Sequence, residues 1–351
     1  MKATRSSRVL IGVTFGLAAM LGGLGAVAPV CSQQAAGAPA PGPQAVLSVH
    51  TGAGVLYGTA TELVFAYSGG SRFIVSELDW ALQPVFLAQS ALRLKAFGSL
   101  SASLVLTSAF PAQSGFITDS DWLNYPADTT TKTNFSRHEC FTERALIIDA
   151  RLGWDFPLGK LFRLTPFGEL GGMLFEWTAR NGYLQYPDGW FSATPPDPPY
   201  PSYTEDPIIE VYGTGIVYQQ NYLIPALGLE MGLRLGRRLD VALSFAFSPF
   251  VTCKDLDNHE FAGADYTESM ASGMSIQPSL ALELRLSDRA ALALDASYRR
   301  IWGLMGDVRQ TITGADYPGA PGPPGTTYVD PRGGGASYEA IGAAVSFSLS
   351  L

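Results

Sequence analysis

Leu239-Asp240-Val241-Ala242-Leu243-Ser244-Phe245-Ala246-Phe247-Ser248 alternates at every step. Leu239, Val241, Leu243, Phe245 and Phe247 fall on one side, and Asp240, Ala242, Ser244, Ala246 and Ser248 on the other. Successive side chains of an extended strand point to opposite faces, so the stretch reads as a strand with one apolar face. The pattern recurs. Leu280, Leu282, Leu284 and Leu286 oppose Ser279, Ala281, Glu283 and Arg285. Leu227, Leu229, Met231, Leu233 and Leu235 oppose a face carrying Glu230 and Arg234. Leu146, Ile148, Ala150, Leu152 and Trp154 oppose Asp149 and Arg151. Apolar-out, polar-in alternation is what a strand needs between lipid and a polar lumen. A soluble antiparallel sandwich with one wet face would alternate in the same way. The leader and the spacing of the loops count against it.

Tight turns fall at Phe156-Pro157-Leu158-Gly159-Lys160, Gly236-Arg237-Arg238 and Ser287-Asp288-Arg289. Long polar or Pro-rich stretches lie between them: Asp119 to Glu139, Asn181 to Gly215, Asp255 to Ser272 and Thr313 to Gly335. Short turns on one side and long loops on the other are the plan of bacterial outer-membrane barrels. The expected fold is all-β, a ten-stranded antiparallel transmembrane β-barrel with long extracellular loops. Its strands are expected at 46–66, 72–95, 98–117, 141–156, 161–179, 216–235, 238–254, 270–286, 289–312 and 336–351. The last carries Val345, Phe347, Leu349 and Leu351 on one face, which resembles the C-terminal assembly signal of such barrels.

Composition agrees. Charged residues make up 15% of the 351 and hydrophobic residues 47%, whereas soluble proteins carry about 25% charge. Past the leader, no run approaches the roughly 20 apolar residues of a spanning helix. Residues 1–30 read as a signal peptide. Lys2, Arg5 and Arg8 precede the apolar Val9 to Leu21, and Ala26-Val27-Ala28 is a candidate cleavage site. Residues 31–45 read as an Ala/Pro/Gly linker and 46–351 as the barrel. Cys31 is a poor lipidation site because Val30 precedes it, and whether Cys140 and Cys253 pair is left open. A net charge of −8 argues against nucleic acid as a partner and suits cationic substrates.

His259 closes Asp255-Leu256-Asp257-Asn258-His259 at the start of an expected outer loop. An aspartate two residues before a histidine can orient the imidazole and stabilise its charged form. Asp119 and Asp121 bracket Ser120 at another such loop. Two close carboxylates raise the pair's apparent pKa and can hold a water between them. Each feature alone is matched by an ordinary solvated loop.

Taken together they resemble the omptin family of outer-membrane endopeptidases. Ser76-Glu77-Leu78-Asp79-Trp80, Thr118-Asp119-Ser120-Asp121-Trp122, Ser136-Arg137-His138, Thr178-Ala179-Arg180 with Gly182, and Asp255-Leu256-Asp257-Asn258-His259 are similar to omptin signatures and follow in family order. The resemblance implies an aspartyl-type peptidase that cuts after basic residues, its site facing the cell exterior. Asp257 and His259 would form a dyad, Asp119 and Asp121 the facing couple, and a water between them the nucleophile. It implies no covalent intermediate, no metal and no cofactor. Glu62 and Asp255 would read a basic P1 side chain. Polypeptides with basic residues and outer-membrane lipid are the implied partners.

Three features sit uneasily with the resemblance. Strand alternation carried on from Leu243, Phe245 and Phe247 points Asp257 and His259 outward. A phase reset is therefore required, and Pro249 is where it is expected, since proline disrupts ladder pairing. Leu174 and Asn221 occupy positions where omptins clamp lipopolysaccharide phosphates with basic residues, which puts the lipopolysaccharide requirement in doubt. Asn134 replaces an acidic residue tied to a basic P1′ preference. The competing readings are a catalytically silent barrel acting as an adhesin, or a porin.

Overall fold

The structure is a computed structural model that describes residues 45–190, 196–260, 263–314 and 322–351. The expected signal peptide, Cys31 and all of the expected linker except its last residue lie outside the described residues. Twelve strands follow in chain order. They are β1 (Val46–Ser68), β2 (Ser71–Ala96), β3 (Leu100–Ala109), β4 (Ala112–Asp121), β5 (Asn134–Trp154) and β6 (Phe156–Leu158). Then come β7 (Phe162–Gln185), β8 (Ile209–Leu235), β9 (Leu239–His259), β10 (Ala264–Arg285), β11 (Ala290–Ile312) and β12 (Thr327–Ser350). All pairings are antiparallel, and β1 meets β12 from Ser48↔Ser350 to Val64↔Gly334. That pairing closes the sheet and removes the edges that lipid cannot satisfy. β3 and β4 are the two halves of one arm between β2 and β5, interrupted at Phe110-Pro111. β6 continues β5. The ring therefore has about ten strands, as the alternation predicts.

The strands run further outward than expected. β5 begins at Asn134 rather than 141, β8 at Ile209 rather than 216, and β12 at Thr327 rather than 336. β4 reaches Asp121, β7 Gln185 and β9 His259, while β10 already starts at Ala264. The outer connections shrink to 122–133, 186–208, 260–263 and 313–326. The physical reason is height. A 23-residue strand such as β1 tilted in a barrel stands roughly 55–60 Å tall, and the lipid-facing band needs only about 25 Å. Above the band no lipid demands outward apolar side chains, so alternation fades while ladder hydrogen bonding continues.

The band is visible on the outside. Leu243, Phe245, Phe247 and Phe250 of β9 and Ile341, Val345, Phe347 and Leu349 of β12 are exposed there. Inside, the lumen is lined by ion pairs between neighbouring strands, and one, Arg299 of β11 to Asp149 of β5, crosses it. Arg151 holds Glu169 at 2.8 Å, Arg163 holds Glu230 at 2.6 Å, and Arg299 holds Asp149 at 2.8 Å. Removing one partner of such a pair leaves a buried charge and costs about 3–5 kcal/mol. Further out, Trp80, Phe175, Trp177 and Tyr218, all fully buried, form a stack with centroids 5.1–5.9 Å apart. Cys140 and Cys253 are both free and buried.

Candidate active site

The outer ends of β1, β4, β9 and β10 carry a cluster of inward-facing acidic side chains, Glu62, Asp119, Asp255, Asp257 and Glu268 among them. On β4, Asp119 lies opposite Leu78 of β2 and Ser136 of β5, and Asp121 lies opposite Ser76 and Asn134. Asp119 is buried, and the Ser76 hydroxyl donates to its Oδ1 at 3.3 Å. These residues sit on a strand, not at the start of a loop, so the ladder on both sides fixes their direction.

Asp257 and His259 close β9 between β8 and β10. They face inward because the strand changes phase. Ser275↔Ser248 and Gly273↔Val251 leave one extra residue on β9, at Pro249-Phe250, where both side chains are exposed. Val251, Cys253, Asp255 and Asp257 then all point in and are buried. The expected reset at Pro249 is present as a bulge, and bulges re-aim side chains in this way. His259 Nδ1 is 3.6 Å from Asp257 Oδ2. That is a charge contact, too long for a hydrogen bond. The Tyr266 ring lies edge-on to the imidazole at 6.1 Å.

The site lies beyond the lipid-facing band, and its ionisation is set by burial and mutual repulsion. Burial raises Asp257 to about 8, with Asp265 adding to the effect. Burial raises Asp119 to about 6, against the pull of His259. Asp121 is pushed well above the carboxylate range by burial and then by Asp119. Burial lowers the His259 imidazole while Asp119 raises it. β4 and β9 stand on opposite walls of the ring, which sets the Asp119/Asp121 couple and the Asp257/His259 pair facing one another across the mouth.

Glu62 of β1 and Asp255 of β9 lie in the same enclosure. Glu62 is pushed well up by burial and then by Asp257, Glu268, Asp255 and Asp119. Asp255, raised to about 7 chiefly by burial, accepts a hydrogen bond from Tyr218 at 3.0 Å. Behind it runs a relay in which Tyr222 donates to Gln220 Oε1 at 2.7 Å and Gln220 Nε2 donates to the Tyr218 oxygen at 2.8 Å. Oε2 of Glu62, Oδ1 of Asp255 and Oδ1 of Asp257 have no hydrogen-bond partner among the described residues.

Sequence reasoning missed three participants. Ser76 was quoted only as part of a motif, Tyr218 belongs to the inward Tyr218-x-Gln220-x-Tyr222 pattern, and Glu268 stood inside an expected loop. Period-two reading from Tyr218 would have found the second; nothing local marks Glu268. His138 packs beside the couple. Its Nδ1 faces the Asn181 carbonyl at 2.5 Å and so carries the proton, leaving Nε2 to accept from Ser136 Oγ at 3.1 Å. Leu174 and Asn221 are directly opposite one another on β7 and β8, and exposed Lys254 of β9 lies opposite Asn221. Among the described residues no three His, Cys, Asp or Glu side chains are arranged to hold a metal ion.

No curated protein matches the chain by sequence. Among solved structures, outer membrane protease OmpT from Escherichia coli superposes with a TM-score of 0.75 at 17% identity, covering 87% of this chain and 97% of that one. The translocator domain of the autotransporter NalP from Neisseria meningitidis aligns over 85% of this chain and 88% of its own at 12% identity, with a TM-score of 0.31. The first likeness shows the fold, a closed antiparallel β-barrel. The Omptin family model matches residues 43–319, and on that match this outer-membrane β-barrel belongs to the omptin family.

Proposed function

We propose that the barrel is an endopeptidase that activates a water at its outer mouth and cleaves after basic residues. The observation that carries the reading is the convergence of Asp119 and Asp121 on one wall with Asp257 and His259 on the other. Like charges that cannot both ionise share a proton. With Asp119 raised to about 6 and Asp121 pushed well up, each chiefly by burial, the couple shares protons between its carboxyls and can both donate to and accept from one water. His259 removes that water's proton as its oxygen attacks the scissile carbonyl carbon. Asp257 stabilises the imidazolium so formed. Collapse of the tetrahedral intermediate breaks the C–N bond, and His259 returns the proton to the leaving amine.

Glu62 and Asp255 supply the P1 pocket in this reading. A guanidinium or ammonium entering it pairs with carboxylates that each keep one buried oxygen without a partner, and an uncharged side chain leaves those oxygens so. Asn134 brings no charge to P1′, so discrimination there is weak. Arg299 of β11 reaches across the lumen to Asp149 of β5, where a porin would need an open path. Lipopolysaccharide is expected to activate weakly, because Leu174 and Asn221 offer no fork for phosphate and Lys254 is a single point charge. The test is incubation of the refolded barrel with a peptide library, with and without lipopolysaccharide, reading cut sites by mass spectrometry. Cuts after Arg and Lys are expected. A library left uncut under both conditions overturns the peptidase reading.

A further inference from the structure

The enclosure holding Glu62 and Asp255 contains a third carboxylate. Glu268 of β10 lies opposite Asp255 of β9 and Val308 of β11. It is 4% exposed, so its side chain is committed to the interior. A Cβ built on Gly334 of β12 would collide with Glu268 Oε2. The carboxylate is therefore laid across β11 against bare backbone, a seat that only glycine leaves open. Gly334 pairs with Val64 of β1, two residues outward of Glu62. Glu268 thus reaches from β10 towards the wall that carries Glu62.

The charges around it are of one sign. Asp255 and Asp257 act on Glu268 from β9, and Glu268 acts in turn on Glu62 and Tyr218. No Lys or Arg among the described residues pairs with Glu62, Asp255 or Glu268. Oε2 of Glu268, Oε2 of Glu62 and Oδ1 of Asp255 are buried, with no hydrogen-bond partner among the described residues. Unpartnered buried carboxyl oxygens are costly, and each calls for a partner that the surrounding side chains do not supply. Three such groups on three strands call for donors spread over several directions rather than issuing from one point.

We propose that Glu268 is a specificity-determining residue that makes the P1 pocket select arginine over lysine. This inference rests on the P1 reading given above. A guanidinium presents five N–H donors in a rigid plane and is weakly hydrated, so it can meet carboxylates on three sides at once. An ammonium presents three donors from one point, holds its water more tightly, and leaves part of the set unpaired.

The test compares kcat/KM for paired peptides differing only in Arg, Lys or Gln at P1. It uses the refolded barrel, Glu268→Gln and Glu268→Asp, with folding checked by heat-modifiable migration. A hydrogen bond to a charged group is worth about 1.5–3 kcal/mol, which is roughly ten- to a hundredfold. Glu268→Gln is expected to lose that factor on the Arg peptide and only a few-fold on the Lys peptide. Glu268→Asp, with the charge kept one methylene shorter, should recover part of the loss. A folded Glu268→Gln with an unchanged Arg-to-Lys ratio overturns the inference while leaving the P1 reading intact. Parent protein that cuts the Gln peptide as fast as the Arg peptide overturns the P1 reading itself, and the inference with it.

Discussion

Replacing Asp257 by Asn removes the charge beside the proposed base while keeping its shape. Asp257 Oδ2 and His259 Nδ1 are 3.6 Å apart, with the Asp257 side chain only 5% exposed. At that separation and an effective dielectric near 20, two unit charges attract by about 4–5 kcal/mol, of which ionising Asp257, raised to about 8, offsets about 1.4 kcal/mol at pH 7. The attraction exists only once His259 has taken the water's proton, so it acts on the transition state and not on bound substrate. Asp257→Asn should therefore lower kcat by about 10²-fold at pH 7 and move KM little. His259→Ala should cost about 10²–10⁴-fold. The double variant should be no worse than His259→Ala alone, because Asp257 acts only through the imidazolium. The assay is a fluorescence-quenched peptide with Arg at P1, run on refolded protein whose unboiled band migrates as a folded barrel. If folded Asp257→Asn keeps more than about a tenth of the parent kcat, or the two losses multiply, the dyad is not the base.

Asp119 raises the His259 pKa against burial, so Asp119→Asn should move the imidazole titration to lower pH. NMR of the ring protons in the refolded barrel reads this directly, and an upward or absent shift contradicts the facing arrangement. Stability should also depend on pH. Asp257 and Asp255 are raised from 3.8 to about 8 and about 7. The burial penalty is therefore absent below the unfolded value and is felt fully only once pH has risen through the folded ones. The barrel should unfold at a lower temperature at about pH 9 than at about pH 5, and Asp257→Asn should narrow the difference. Equal unfolding temperatures for the parent at both would refute the buried-carboxylate account.

The amino-acid sequence determined the barrel because lipid imposes its own period. Wherever a strand crosses the apolar band, as in Leu239 to Ser248, every second residue must be apolar, and that demand is local and visible. The short motifs around Asp119, Asp121, Asp257 and His259 were legible for a similar reason, since each lies within a few consecutive residues. Above the band the demand lapses. Asn134 to Cys140 and Ile209 to Gly215 carry no alternation that would mark them as strand, and only their ladder partners make them so. The direction of His259 was undecidable by counting, because a single bulge at Pro249-Phe250 inverts every residue beyond it. Glu268 could not be found at all from its neighbours. It joins Glu62 only because β1 and β12 close the ring and Gly334 leaves its backbone bare beneath the carboxylate. Pattern along one strand is a property of sequence; which charges share an enclosure is decided by closure, register and the residues absent from the space between them.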